Sequence, residues 1–278
     1  MTGLNVLPPP RLRRFVRGIQ YIDFPPSEDG FVIPAQVRST LLLPEHTEYT
    51  LDGDIADRVS LEAATLLGPH DTPIVNRTSR PVRGFTVDFT PLGAVELLGV
   101  PQGELANRGV AADQLLPKPW VRELVERVNG ATDVPTALRA IYDLLLSVPP
   151  PDSAREGTTL VCRALAEGAV TPTEGDGGVR HIAERLGITP RHVNREFHRH
   201  FGMGPRRYAL IRRIQTAMTA IAEARAGSLS ELALDTGFFD YSHFSHEFKR
   251  SAMSTPKAFS TSRRYREYQV VAVTPRII

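Results

Sequence analysis

The sequence predicts an α+β chain of two domains: a β-rich N-terminal sandwich or small barrel with a helical tail, then an all-α C-terminal domain. Three observations predict this. The stretch "RGFTVDFTP" alternates Phe85, Val87 and Phe89 with Thr86, Asp88 and Thr90, the two-residue period of a half-buried strand. "SVPPPDSAREG" at 147–157 sets three consecutive prolines in a polar run, which disfavours helix and marks a boundary. After that boundary the apolar residues follow helical spacing throughout, and the pattern of one half returns in the other.

Before the break, "STLLLPEHTEYTLDG" and "SLEAATLLGPHD" are further apolar runs bounded by Pro, Gly and Asp, as short strands are. The character changes after Pro91. "LGAVELLGV", "PWVRELVERVNG" and "VPTALRAIYDLLLS" read as helices, the last with Leu138, Ile141 and Leu145 on one face. These residues place the first domain at 1–150. The second, at 157–268, is expected to hold helices near 158–168, 179–186, 190–200, 205–225, 229–236, 240–250 and 256–265.

Within the second domain the chain repeats itself. "IAERLG" (182–187) matches "LALDTG" (232–237) at an offset of 50, and one extra residue then enters the turn. Val193, Phe197, Pro205 and Tyr208 match Phe244, Phe248, Pro256 and Phe259 at an offset of 51. Each unit is a short helix, a turn at a glycine, a second helix and a helix started by proline. Gly187 and Gly237 stand where a helix must stop in a left-handed residue. Thr189-Pro190 supplies an N-cap and a first-turn proline, and Asp240 can cap the equivalent helix.

The spacing also fixes orientation. Val179, Ile182, Ala183 and Leu186 share a face. In the next helix Val193 and Phe197 point inward, while Arg191, Asn194, Arg195 and His198 form the opposite stripe. In the second unit Phe244 and Phe248 point inward, and Ser242, Ser245, His246 and Lys249 point out. A two-helix unit with a polar, basic, amide-bearing stripe on its second helix is a helix-turn-helix arrangement, whose second helix fits the major groove. Arg pairs bidentately with guanine and Asn with adenine, so Arg191, Asn194, Arg195, Ser242, Ser245 and His246 are the expected base readers. Arg206, Arg207, Arg212, Arg213, Lys249 and Arg250 are candidates for phosphate contacts. Between the units, Tyr208, Ile211, Ile214, Met218 and Ile221 form the seam of one long helix. At 1.5 Å per residue, ~21 residues span roughly 31 Å, near the pitch of duplex DNA.

Charge agrees with this division. Residues 158–278 hold 18 Lys/Arg against 11 Asp/Glu, leaving 15 and 20 of the chain's 33 and 31 for residues 1–157. A basic second domain suits a polyanionic partner.

"IAERLGITPRHVNREFHRHFGMGPRRY" and "SLSELALDTGFFDYSHFSHEFKRSAMSTPKAF" together resemble the AraC/XylS-type family of bacterial transcription regulators over about two-fifths of the chain. The resemblance implies a double helix-turn-helix domain bound to promoter DNA. It also implies an N-terminal domain that senses a small molecule, forms a homodimer, or both, and contact with RNA polymerase if the protein is an activator. "VRGFTVDFTPLGAVELLGVPQGELANRGV" looks like the N-terminal domain of one subgroup. Two positions depart from the family pattern: His246 stands where Arg is usual, and Met253 where glycine is usual.

The histidines and the cysteine allow other readings. His198/His200 and His243/His246 lack further ligands at metal-site spacing, and His46 with Glu48 and His70 reads more simply as surface loops than as a metal-binding barrel enzyme. His192 and His243 occupy equivalent positions beside the core faces and are expected to be structural. Cys162, the single cysteine, lies in the apolar "LVCRALAE", cannot form an internal disulfide, and fits a reducing cytosol. An alternative makes the N-terminal domain a catalytic or DNA-repair module addressed to DNA by the second, but an alkyl-accepting cysteine is missing from 1–157. A third treats the helical domain as a protein-interaction module. No apolar run is long enough for a membrane span, and no export signal opens the chain, so a cytoplasmic protein without cofactor, metal or catalytic residues is expected.

Overall fold

A computed structural model describes residues 2–45, 50–52, 64–78, 81–148, 177–223 and 227–262. The helix expected near 158–168, with Cys162, and the linker beyond Val148 lie outside the described residues, as do His46 and Glu48.

Two antiparallel sheets build the first domain. Six strands run β1 (Thr2–Val6), β2 (Val16–Phe24), β8 (Val82–Phe89), β4 (Thr40–Pro44), β6 (Thr65–Leu67) and β9 (Gly109–Ala111) in spatial order. A smaller sheet orders β3 (Ser27–Ile33), β7 (Ile74–Thr78) and β5 (Thr50–Asp52). Ile22, Phe24, Leu42, Leu67 and Val82 of the large sheet pack with Ile74 of the small one, giving the sandwich its inner layer. On the other face Val16, Ile19, Leu41, Leu43, Phe85, Val87 and Phe89 meet the helical tail. That tail comprises α1 (Gly93–Leu98), α2 (Ala112–Leu115), α3 (Lys118–Asn129) and α4 (Val134–Leu146). Leu124, Leu138, Ile141 and Leu145 close this core, each worth about 1.5–3 kcal/mol as a buried aliphatic side chain.

β8 departs from expectation. Its register, Val16↔Phe89 to Phe24↔Val82 against β2 and Thr40↔Asp88 to Pro44↔Gly84 against β4, buries both faces rather than one. The Thr86/Asp88 side is covered by polar groups: Gln20 and Thr40 donate to the Asp88 carboxylate at 2.9 and 2.8 Å, and Arg38 lies 3.7 Å from it. A polar residue in an alternating strand is exposed only if nothing polar is supplied to cover it. β9 was also unforeseen; its three residues are held by pairing with β6, a non-local contact that leaves no local pattern.

The second domain is helical throughout its described part. It comprises α5 (Gly177–Leu186), α6 (Pro190–Phe201), α7 (Pro205–Ala222), α8 (Leu229–Asp235), α9 (Tyr241–Ala252) and α10 (Pro256–Thr261). The repeat is realised as two small cores on one rod. Tyr208 and Ile211 of α7 join Val179, Ile182, Ala183, Val193, Phe197 and Phe201. Ile214, Ala217, Met218 and Ile221 of the same helix join Leu232, Ala233, Phe238, Phe244, Phe248 and Phe259. Aromatic ladders tie each core: Phe197–Tyr208 at 5.4 Å in the first, Phe244–Phe248 and Phe248–Phe259 at 5.6 and 5.4 Å in the second. α7 is 18 residues long, so the rod spans about 27 Å rather than 31 Å.

Among the described residues no helix is long and apolar enough to cross a membrane, and no three His, Cys, Asp or Glu side chains gather as a metal site.

Candidate nucleic-acid interface

The two second helices begin alike. Thr189 caps α6, its hydroxyl accepting the His192 N–H at 3.2 Å, and Asp240 caps α9, its carboxylate accepting the His243 N–H at 2.7 Å. They also end alike, in a left-handed residue whose N–H bonds back four positions. Gly202 has φ +66° and bonds to His198 O at 3.0 Å; Met253 has φ +53° and bonds to Lys249 O at 2.8 Å. Met253 therefore takes the backbone role of the glycine it replaces without changing the turn.

Arg191, Asn194 and Arg195 are exposed on α6, opposite the buried Val193 and Phe197. Two of the three are already engaged. The Asn194 amide donates to the Pro190 carbonyl at 2.9 Å. The Arg195 guanidinium meets His192 Nδ1 at 3.2 Å and the Glu196 carboxylate at 3.5 Å. Glu196 is the hub of this end, with His192 and His200 also at 3.5 and 3.4 Å. Burial pulls the His200 pKa down, with Glu196 opposing. On α9, Ser242 and His246 are exposed and Ser245 half-buried. His243 sits edge-on to Phe238 at 5.4 Å, a packing role.

The arginine candidates divide. Arg206, Lys249 and Arg250 are exposed. Arg207, Arg212 and Arg213 are turned inward. Arg207 donates to the Asp71 carbonyl of the first domain and lies 3.8 Å from Glu247 of α9. Arg213 donates to Gly237 O at 2.6 Å and stacks over Phe238 at 4.6 Å. Arg212 has its Nε buried without a hydrogen-bond partner, close enough to Arg17 for its charge to lower that residue's pKa. In this arrangement Arg207 and Arg212 belong to the seam between domains, not to the phosphate-facing surface expected for them.

That seam is extensive. The Ala35 N–H donates to Ser251 O at 2.9 Å and its carbonyl accepts from Gln215 at 3.3 Å, so one residue touches both α7 and α9. Ala35, Val37 and Leu92 complete the first unit's core. A 3₁₀ turn, Gln102–Leu105, abuts the end of α6; a Cβ on Gly103 would fall 2.0 Å from Arg199 O. Arg17 is held down to about 10, by burial first and by Arg38 next, with Asp88 opposing and Arg212 adding to the depression. His70, expected on a surface loop, is fully buried here. Its ring nitrogens lie 3.2 and 3.1 Å from Gly68 O and Pro34 O, of which the neutral ring can donate to one, and burial pushes its pKa down to about 4.

Comparisons with known proteins agree with this geometry. Residues 182–262 match the family model of a helix-turn-helix domain, which spans both units and the rod. No curated protein matches the chain in sequence. Among solved structures, ToxT from Vibrio cholerae shares the fold at 11% identity and a TM-score of 0.50, over 92% of this chain and 99% of its own. A ToxT structure bound to (E)-4-(8-methylnaphthalen-1-yl)but-3-enoic acid superposes at 0.52 and 11%, over 87% and 98%. An unsaturated fatty acid-bound ToxT superposes at 0.50 and 12%, over 92% and 95%. Residues 182–262 thus form an AraC-type helix-turn-helix domain, and the chain that carries them is a DNA-binding transcription regulator.

Proposed function

We propose that the protein binds promoter DNA sequence-specifically through α6 and α9, set in successive major grooves on one face of the duplex. The observation that carries this is the pair of capped helices with equivalent buried aromatics, both anchored on the single rod α7, with their polar stripes exposed. The rod of 18 residues covers about 27 Å, most of one helical repeat of duplex DNA. Arg191, Asn194 and Arg195 read bases in the first groove, with Ser242, Ser245 and His246 in the second. Arg206, Lys249 and Arg250 hold phosphates, and Arg207 and Arg212 join them only where the seam opens. Replacing Arg195 by Ala is expected to cost ~1–3 kcal/mol and relax preference at one base pair. Equal losses on selected and random duplexes would refute the assignment.

The first domain senses a small molecule in this reading. The structures of ToxT bound to organic acids motivate an acidic effector here, and the seam's Arg38, 3.7 Å from Asp88, and the nearby Arg17 offer cationic partners for it. An unsaturated fatty acid should raise the melting temperature of the full chain, and less so for Arg38→Gln. No shift at saturating acid would remove this part of the reading. Homodimer formation and contact with RNA polymerase are the further roles such a regulator fills, in the cytoplasm where promoter DNA lies. No catalytic role is assigned to any residue.

A further inference from the structure

We infer that Phe239 is a base-reading residue of the second unit, which recognises a thymine through its 5-methyl group. The inference rests on the reading of α9 as a groove-entering helix.

The two turns locate the residue. In the first unit Gly187 is left-handed at φ +64°, the Ile188 N–H bonds to Ala183 O at 2.9 Å, and Thr189 caps α6. In the second, Gly237 is left-handed at φ +80°, the Phe238 N–H bonds to Ala233 O at 2.9 Å, and Asp240 caps α9. Ile188 therefore corresponds to Phe238, and Thr189 to Asp240. Phe239 is the one residue of the second turn without a counterpart.

Its neighbours are fixed. Phe238 is buried among Phe244, His243 and the Arg213 guanidinium, with ring distances of 5.2, 5.4 and 4.6 Å. Asp240 is held by its cap. With the backbone pinned on both sides, the extra residue projects outward, and Phe239 is 86% exposed. It stands immediately before the N-cap of α9. The N-terminal end of a recognition helix is the part that meets base edges.

The chemistry of the second stripe gives the ring its task. Ser242, Ser245 and His246 include no Arg, Asn or Gln, so the bidentate modes of Arg191, Asn194 and Arg195 have no counterpart at the equivalent positions of α9, whose Lys249 and Arg250 lie in its last turn. Apolar contact with the thymine methyl is a direct readout that these hydroxyls and the imidazole do not supply, and it suits an aromatic ring. Burying the ring against DNA also removes apolar surface that the free protein leaves in water.

The test uses the full chain and duplexes it selects from a random pool. Thymines in the half-site of the second unit are replaced one at a time by deoxyuridine, which deletes only the methyl. At one position wild type is expected to bind about fourfold more weakly, the worth of one buried methyl group. Phe239→Ala should bind the thymine duplex about tenfold more weakly than wild type and be indifferent to that same replacement. Its thermal melting should match wild type, because the side chain is 86% exposed. If Phe239→Ala keeps wild-type affinity and the same deoxyuridine penalty, the inference is wrong. If it keeps DNA affinity but loses transcriptional activation, the ring serves a protein partner and the inference is equally overturned. Failure of wild type to prefer any duplex would instead overturn the regulator reading itself.

Discussion

Gly202 is where the backbone, the first reader and the domain seam meet, so Gly202→Ala measures all three. Its φ of +66° is left-handed, which costs an alanine ~1–2 kcal/mol. A Cβ there would stand 1.9 Å from the Ala106 Cβ, beside the 3₁₀ turn. Two carbons rest about 3.5–4 Å apart, so α6 and the turn must separate by well over an ångström. Overpacking of that kind costs ~1–3 kcal/mol. Against this, alanine restricts the unfolded chain and returns ~0.4–1 kcal/mol. The net loss is about 2–3 kcal/mol in urea unfolding of the full chain. A second substitution separates the terms. Ala106→Gly deletes the clashing atom but loosens the unfolded chain by as much as Gly202→Ala restricts it, so the double variant should recover the clash and retain the left-handed cost of about 1–2 kcal/mol. No such relief exists at Gly103, whose Cβ would strike the Arg199 backbone carbonyl. Wild-type stability for Gly202→Ala, or no recovery in the double variant, would refute the packing of α6 against this turn.

Replacing Arg206 by Ala should weaken binding to selected and random duplexes equally and lower the salt slope by about one, read from titrations at several salt concentrations. His70 makes stability pH-dependent. Its folded pKa of about 4 lies below the unfolded 6.5, so the unfolded chain binds more protons as pH falls through 6.5. Its contribution is complete above that value and declines toward pH 4, by about 2 kcal/mol at pH 5. His70→Asn should flatten this limb of the urea-midpoint curve.

The second domain was readable because its signals are local. Apolar spacing, the Thr189 and Asp240 caps and the glycine stops each depend on a few neighbouring residues, and all three recur in the folded repeat. The helical tail was readable for the same reason. What escaped depends on distant partners. Nothing near Arg207 tells that the Asp71 carbonyl will take its guanidinium, and an arginine on a helix flank reads alike whether it faces phosphate or a neighbouring domain. Asp88 looked like the solvent side of a strand because Gln20, Thr40 and Arg38 reach it only through sheet pairing. His70 is buried by the bridge between Gln36 and itself, again a long-range event. Phe239 had a visible signal, the one-residue mismatch in the repeat, but only the two turn hydrogen bonds decide which residue is the extra one.

The repeat is kept where it packs and lost where it is exposed. Val193 and Phe244, Phe197 and Phe248, and Tyr208 and Phe259 fill equivalent places, and all are buried. The stripes share no residue type at equivalent positions: Arg191, Asn194, Arg195 and His198 on α6 stand against Ser242, Ser245, His246 and Lys249 on α9, with Phe239 added in the turn before it. Packing constrains the core positions through volume, while a groove-facing residue is constrained by the base it meets. Two units joined by one helix also follow each other head to tail, without the twofold axis that gives a dimer its palindrome. A single copy of this chain is therefore expected to select a direct, asymmetric site, one half read by Arg and Asn side chains and the other by Ser242, Ser245 and His246 with a thymine methyl against Phe239. Alignment of selected duplexes tests this, and a palindrome of identical halves spaced for one chain would contradict it.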